Sequence, residues 1–111
     1  MGPVLTPAID ALPDAMDRLI AAFDPIRIVM FGSHARGDAR PDSDLDLLVV
    51  VPRMPDKREL AAAMLRSLRG IPANIEVIPT DPAEIARRGD MPGDVLRAAL
   101  REGRTVYERS R

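Results

Sequence analysis

The sequence predicts an α/β or α+β domain, a small mixed sheet of three to four strands covered by helices. Three observations point there. Apolar residues recur at three- and four-residue steps over residues 9–23 and again over 60–68, the spacing of amphipathic helices. Residues 26–31 (IRIVMF) and 45–51 (LDLLVVV) are β-branched, apolar runs of strand length. Glycine, proline and aspartate separate each such segment from the next, with no internal repeat or low-complexity stretch.

Each element has its own signal, taken in order. Residues 1–7 are short and proline-rich and are expected to be loosely ordered. Ile9, Leu12, Met16, Leu19, Ile20 and Phe23 form the stripe of the first helix, which Pro13 either opens or kinks. Asp24-Pro25 stops it, because a residue before proline disfavours helix. The first strand, 26–31, ends at Gly32. Residues 32–43 read as a loop with one helical turn. The second strand, 45–51, is apolar enough to be central, and Pro52 closes it.

Asp56 with Glu59 three residues on predicts a capped helix, with Leu60, Ala61, Met64, Leu65 and Leu68 inward and Gly70 and Pro72 after it. Residues 74–78 (NIEVI) give a third strand. Asp81-Pro82-x-Glu84 reads as an N-cap, a first-turn proline and a capping-box acid for a short helix ending at Gly89. The last helix runs over 94–102, with Val95, Leu96, Ala99 and Leu100 inward and Gly103 as its C-terminal cap. Residues 105–107 add an edge strand.

The 111 residues allow one domain, 1–111, and a chain of that length buries roughly 65% of its unfolded surface. Sixteen Lys and Arg against seventeen Asp and Glu leave a net charge of −1, so no basic excess points to nucleic acid. With no Cys, disulfides, thiolate metal sites and cysteine nucleophiles are excluded. No apolar run approaches membrane-spanning length and no signal peptide opens the chain, so a cytoplasmic protein is expected.

The chemistry sits in Gly32-Ser33, ten intervening residues, then Asp44-Leu45-Asp46. Asp44 and Asp46 leave the same face of a strand, roughly 6.6 Å apart along the backbone. Carboxylates so placed repel one another and raise a pKa unless a cation sits between them. Hard divalent ions such as Mg²⁺ take such oxygen ligands together with substrate phosphates. Glu76 on the third strand has the parity to join them, and three carboxylates suit a two-metal site. At the other end, Gly32 permits close approach of a polyphosphate, and the Ser33 amide and hydroxyl can donate to it. Arg36 and Arg40 add charge-assisted contacts in the same loop. Two other motifs fail. Asp42-x-Asp44-x-Asp46 lacks the Gly and Glu an EF-hand loop needs, having Leu47 and Arg53 there. Gly32-x4-Gly37 has Asp38 where a P-loop needs Lys.

The segment GSHARGDARPDSDLDLLVV resembles the signature of the polymerase-β-type nucleotidyltransferase superfamily, Gly-Ser, ten residues, Asp-x-Asp. It is most similar to the minimal nucleotidyltransferase proteins often encoded beside HEPN-domain proteins. The resemblance covers residues 26–78 and extends toward the C-terminus. It implies a polymerase-β-like fold and Mg²⁺-dependent transfer of a nucleoside monophosphate from an NTP to a hydroxyl, releasing pyrophosphate. Carried over, Gly32 and Ser33 hold the triphosphate of ATP, with Arg36 and Arg40 beside it. Asp44 and Asp46 ligate two Mg²⁺ ions, and Glu76 takes the third carboxylate position, often Asp in relatives.

The chain has no acceptor-binding domain, so a partner is expected to present the hydroxyl. The resemblance implies a HEPN-type ribonuclease toxin, silenced when its antitoxin attaches AMP to one of its tyrosines, in a homo- or hetero-oligomer. Two other readings stand beside this one. One is a non-catalytic antitoxin acting by steric occlusion, and the other is a small-molecule nucleotidyltransferase of the antibiotic-modifying type.

Overall fold

The computed structural model describes residues 7–110, so the segment expected to be loose lies outside the described residues except for Pro7. A 3-10 turn, Ala8–Ala11, leads into α1, Leu12–Phe23. The elements β1 (Arg27–Phe31), α2 (Ser33–Arg36), β2 (Leu45–Val50), α3 (Lys57–Ser67), β3 (Ile75–Thr80), α4 (Pro82–Arg88), α5 (Val95–Glu102) and β4 (Arg104–Glu108) follow. The strands form one mixed sheet in the order β3-β2-β1-β4, with β2 and β3 parallel and the other pairs antiparallel.

Pro13 opens α1 rather than kinking it, since its missing N–H falls where the helix has no use for one. The preceding residues wind as 3-10 and so shift phase: Ala8 and Ala11 are buried, and Ile9, expected inward, is 39% exposed. Asp24 does stop α1, but in the left-handed conformation (φ 45°, ψ 57°), with its N–H bonded to the Ile20 carbonyl at 3.0 Å.

The third strand runs two residues past its expected end, through Pro79. The carbonyls of Asn74 and Thr80 accept from Leu45 and Val51 on the β2 side. Pro79 has the opposite parity, so its nitrogen points to the free edge of the sheet, where no donor is needed. Leu65 and Val95, expected inward on α3 and α5, are 51% and 45% exposed; Met64 and Leu68 carry the packing at the first and Leu96 and Ala99 at the second. Gly103 ends α5 in ordinary extended geometry (φ −77°), so left-handed freedom is not the reason for a glycine. Close approach is: a Cβ there would run into the Ala99 carbonyl and the Val29 side chain.

The two faces of the sheet differ in cover. Ile28, Met30, Leu45, Leu47, Val49 and Val77 pack beneath α1 and α3, on Ala15, Leu19, Met64 and Leu68. Arg18 of α1 also donates to the Ser67 and Arg69 carbonyls at the end of α3, at 3.3 and 2.6 Å. The opposite face is covered more thinly, Val29 and Leu48 meeting Leu96 and Ala99 of α5, with Phe31, Ile78 and Leu100 at the margin. Strand alternation puts Asp46 and Glu76 on this second face, beyond the end of the apolar cover.

Candidate active site

The site is built where β1 and β2 meet their shared loop. Asp46 on β2 is the register partner of Phe31 on one side and of Glu76 on the other. The parallel pairing of β2 and β3 therefore sets the two carboxylates side by side on one face, as their parity predicts. Asp44 lies just before β2, exposed, with the same parity as Asp46. Asp46 is half-buried and Glu76 exposed, so the pair opens to solvent from one side.

Electrostatics identify the strained member of the group. Burial, then the charge and hydrogen bonding of Glu76, then the charge of Asp44, push the Asp46 carboxyl up to about 6, with the His34 ring opposing them. A cation would relieve that repulsion. The donors are all carboxylate oxygens, which fits a hard divalent ion such as Mg²⁺, held by one or two carboxylates plus phosphate oxygens. Among the described residues, no three His, Cys, Asp or Glu side chains are gathered closely enough to hold an ion unaided. The adjacent pair is Asp46 with Glu76, and Asp44 contributes its charge from the approach to the strand.

Gly32 caps α2 at φ 75° and ψ −154°, a conformation essentially reserved for glycine. A Cβ there would collide with Asp46 Oδ2, so the loop's first residue and the strand's acid share one tight space. The Gly32 carbonyl accepts from the amides of Ala35 and Arg36, each at 3.1 Å. The amides of Ser33 and His34, first in that turn, have no intrahelical acceptor. Ser33 is half-buried at the start of the turn. Arg36 is exposed and paired with Asp38 at 3.4 Å. Arg40 is exposed, and its backbone N–H donates to Ser43 Oγ at 2.8 Å. Gly32, Ser33 and the acid pair are thus brought together, while both arginine side chains lie out on the loop.

Two features escaped the sequence. His34 reaches the Ser43 carbonyl with Nε2 at 3.3 Å. Glu84 does not reach back to its N-cap as a capping-box acid. Its amide bonds to the Asp81 carboxylate at 2.8 Å, but its own carboxylate turns inward, buried. There it accepts from Thr80 Oγ1 at 2.7 Å and Lys57 Nζ at 2.8 Å, with Arg88 at 3.5 Å. Burial disfavours the Glu84 charge, but Lys57, Thr80 and Arg88 outweigh it and hold the carboxyl below its usual range. Nothing local signals this, since Lys57 is 27 residues away.

The family model described as "Nucleotidyltransferase domain" matches residues 10–104. The chain belongs to that family. Two proteins of Methanocaldococcus jannaschii, each named "Putative protein adenylyltransferase", are similar to this nucleotidyltransferase domain. One is 32% identical over 93 residues, spanning 78% of this chain and 60% of the relative. The other is 48% identical over 33 residues, 30% of this chain and 33% of the relative. The chain thus spans from a third to three fifths of the curated relatives it matches. A crystal structure titled as that of "a putative nucleotidyltransferase from Sulfolobus solfataricus" superposes with a TM-score of 0.67 at 21% identity, over 92% of this chain and 81% of that one. The likeness extends the family's fold to the four-stranded sheet described above. No helix among the described residues is long and apolar enough to cross a membrane.

Proposed function

We propose that this domain transfers AMP from ATP to a hydroxyl of a partner protein, in the presence of Mg²⁺. The observation that carries the reading is the register pairing of Asp46 with Glu76 on an open strand face, against the Gly32 turn. The names of the M. jannaschii relatives favour a protein acceptor. A tyrosine of a HEPN-type toxin is the acceptor we favour, which makes the protein an antitoxin.

In this reading the triphosphate lies along the Gly32-Ser33 turn, where the Ser33 amide and hydroxyl donate. Arg36 and Arg40 add positive charge along the loop. Asp44, Asp46 and Glu76 would hold two Mg²⁺ ions together with the phosphate oxygens, and the ions would supply charge neutralisation of the phosphates and a lowered pKa for the acceptor hydroxyl. The hydroxyl oxygen attacks the α-phosphorus, its proton is released, and the bond to the β-phosphate breaks as pyrophosphate leaves. Catalysis by the chain is positioning and charge placement, since no other side chain of the motif is an evident general base.

Intact-mass spectrometry of a HEPN-type toxin, after incubation with the chain, Mg²⁺ and ATP, tests the reading. An increment of one or more AMP units, absent with Asp44→Asn, is the expected result. A tight complex without any increment overturns it and leaves an antitoxin that works by occlusion.

A further inference from the structure

Ser33 and Asp44 stand at opposite ends of a loop whose two halves are fastened separately. The near half is tied to α2, the amides of Gly37 and Asp38 both donating to the Ser33 carbonyl, at 3.0 and 3.2 Å. The far half closes on itself. The Ser43 amide donates to the Arg40 carbonyl at 3.0 Å, and the Arg40 amide returns a bond to Ser43 Oγ at 2.8 Å. Among the described residues, no backbone hydrogen bond joins this 40–43 turn to α2. One side chain does. His34, half-buried on α2, places Nε2 at 3.3 Å from the Ser43 carbonyl oxygen, immediately before Asp44.

We propose that His34 is a positioning residue of this site: it clamps the 40–43 turn onto α2 and so fixes the distance between Ser33 and Asp44. A carbonyl oxygen only accepts, so Nε2 must carry the hydrogen, and the ring acts here as a donor of fixed reach. Asp46 and Glu76 need no such clamp, because sheet pairing holds both. Asp44 lies outside the strand, and the geometry of the turn before it decides where its carboxylate points. His34 also follows Ser33 directly on α2. The ring therefore lies beside the site it organises. For its functional consequence the proposal rests on the nucleotide-transfer reading given above.

The test uses the full chain with His34→Ala and His34→Gln, the glutamine amide restoring a donor of similar reach. Hydrogen exchange without ligand is followed at the Arg40 and Ser43 amides and across β2, and Mg²⁺-ATP affinity is measured by calorimetry. A neutral hydrogen bond of ordinary net strength corresponds to about a fivefold change. His34→Ala is expected to speed exchange at Arg40 and Ser43 about fivefold, leave β2 unchanged, and weaken Mg²⁺-ATP about fivefold, with His34→Gln restoring both. Unchanged exchange in the alanine variant overturns the proposal, as does exchange that rises throughout β2 or a glutamine variant that behaves like alanine. So does faster loop exchange with unaltered Mg²⁺-ATP affinity. If the wild-type chain binds no Mg²⁺-ATP, the transfer reading fails by itself, while the exchange data still decide whether His34 holds the turn.

Discussion

Gly32 leaves open the space that the Asp46 carboxylate fills: a Cβ on the one would overlap Oδ2 of the other. The Gly32 turn and the acidic strand are in this way built to a common tolerance, smaller than a methyl group. Gly32→Ala imposes both that overlap and a left-handed backbone, which costs on the order of 1–3 kcal/mol. The larger effect is on the site, since the Asp46 carboxylate must leave the position it holds beside Glu76. A displacement of about 1 Å at a reacting centre costs on the order of 100-fold in rate. Gly32→Ala is therefore expected to fold with a lowered Tm and to lose the proposed AMP transfer on that scale. Thermal melts and transfer assays on the same preparation check both parts, and full activity in the variant would show that Asp46 tolerates the move.

The crowding that raises Asp46 has a pH signature. Its folded pKa, about 6, lies above the ordinary aspartate value of 3.8, so the folded state binds the proton more tightly than the unfolded chain does. The stability this confers is complete below pH 3.8 and is lost as pH rises through about 6. At pH 7 without divalent ions the ionised group is a net burden, about 1 kcal/mol once solvent screening at this half-open site is allowed for. Asp46→Asn is expected to raise Tm at pH 7 in chelator by roughly 5 °C, to have no such effect at pH 4, and to abolish transfer. Differential scanning calorimetry at the two pH values decides it, and equal shifts at both would assign the gain to something other than charge.

The acid pair was legible because its information is local: two strands, a parity and a turn, each readable within a few residues. The register of β2 on β3 then followed from burying Leu45, Leu47 and Val77 together. What stayed hidden depends on distant partners. Asp81-Pro82-x-Glu84 has the spacing of a capping box, and the amide of Glu84 does complete that cap. Its carboxylate instead satisfies Thr80 and Lys57, one in the adjoining strand and one on another helix, which no local pattern encodes. The misplaced Ile9 and Val95 share a simpler cause. A hydrophobic stripe assumes α-helical phase and full cover, while Ile9 sits in a 3-10 turn and Val95 opens a helix that covers the sheet with one side only.

Glu84 joins the ends of β3, α3 and α4, and through Arg88 and Asp94 the start of α5. Removing the carboxylate leaves the Thr80 hydroxyl buried without its acceptor, and Lys57 and Arg88 without their shared partner. Glu84→Ala is expected to cost about 2 kcal/mol, read as a fall in Tm of roughly 10 °C. Because its pKa is lowered in the folded state, the wild-type contribution is present above the ordinary glutamate pKa and is lost as pH falls through the folded value. The wild-type and variant melting curves should therefore converge in acid. A difference that persists unchanged to low pH would assign the loss to packing instead of charge.

The two loop arginines should separate by their present partners. Arg36 is already engaged by Asp38 at 3.4 Å, whereas among the described residues the Arg40 guanidinium forms no ion pair. A phosphate contact from Arg36 must displace Asp38 first, and one from Arg40 displaces only water. Both side chains are exposed, so each contact is limited to about 1 kcal/mol and is weakened by salt. Arg40→Ala is thus expected to raise KM for ATP about fivefold at low ionic strength with kcat nearly unchanged, the mark of lost uniform binding. Arg36→Ala should do less, and Asp38→Ala, which frees Arg36, should lower KM. Steady-state kinetics at low and high salt give the ranking. If Arg36→Ala proves the more damaging of the two, the nucleotide must lie closer to α2 than to the 40–43 turn.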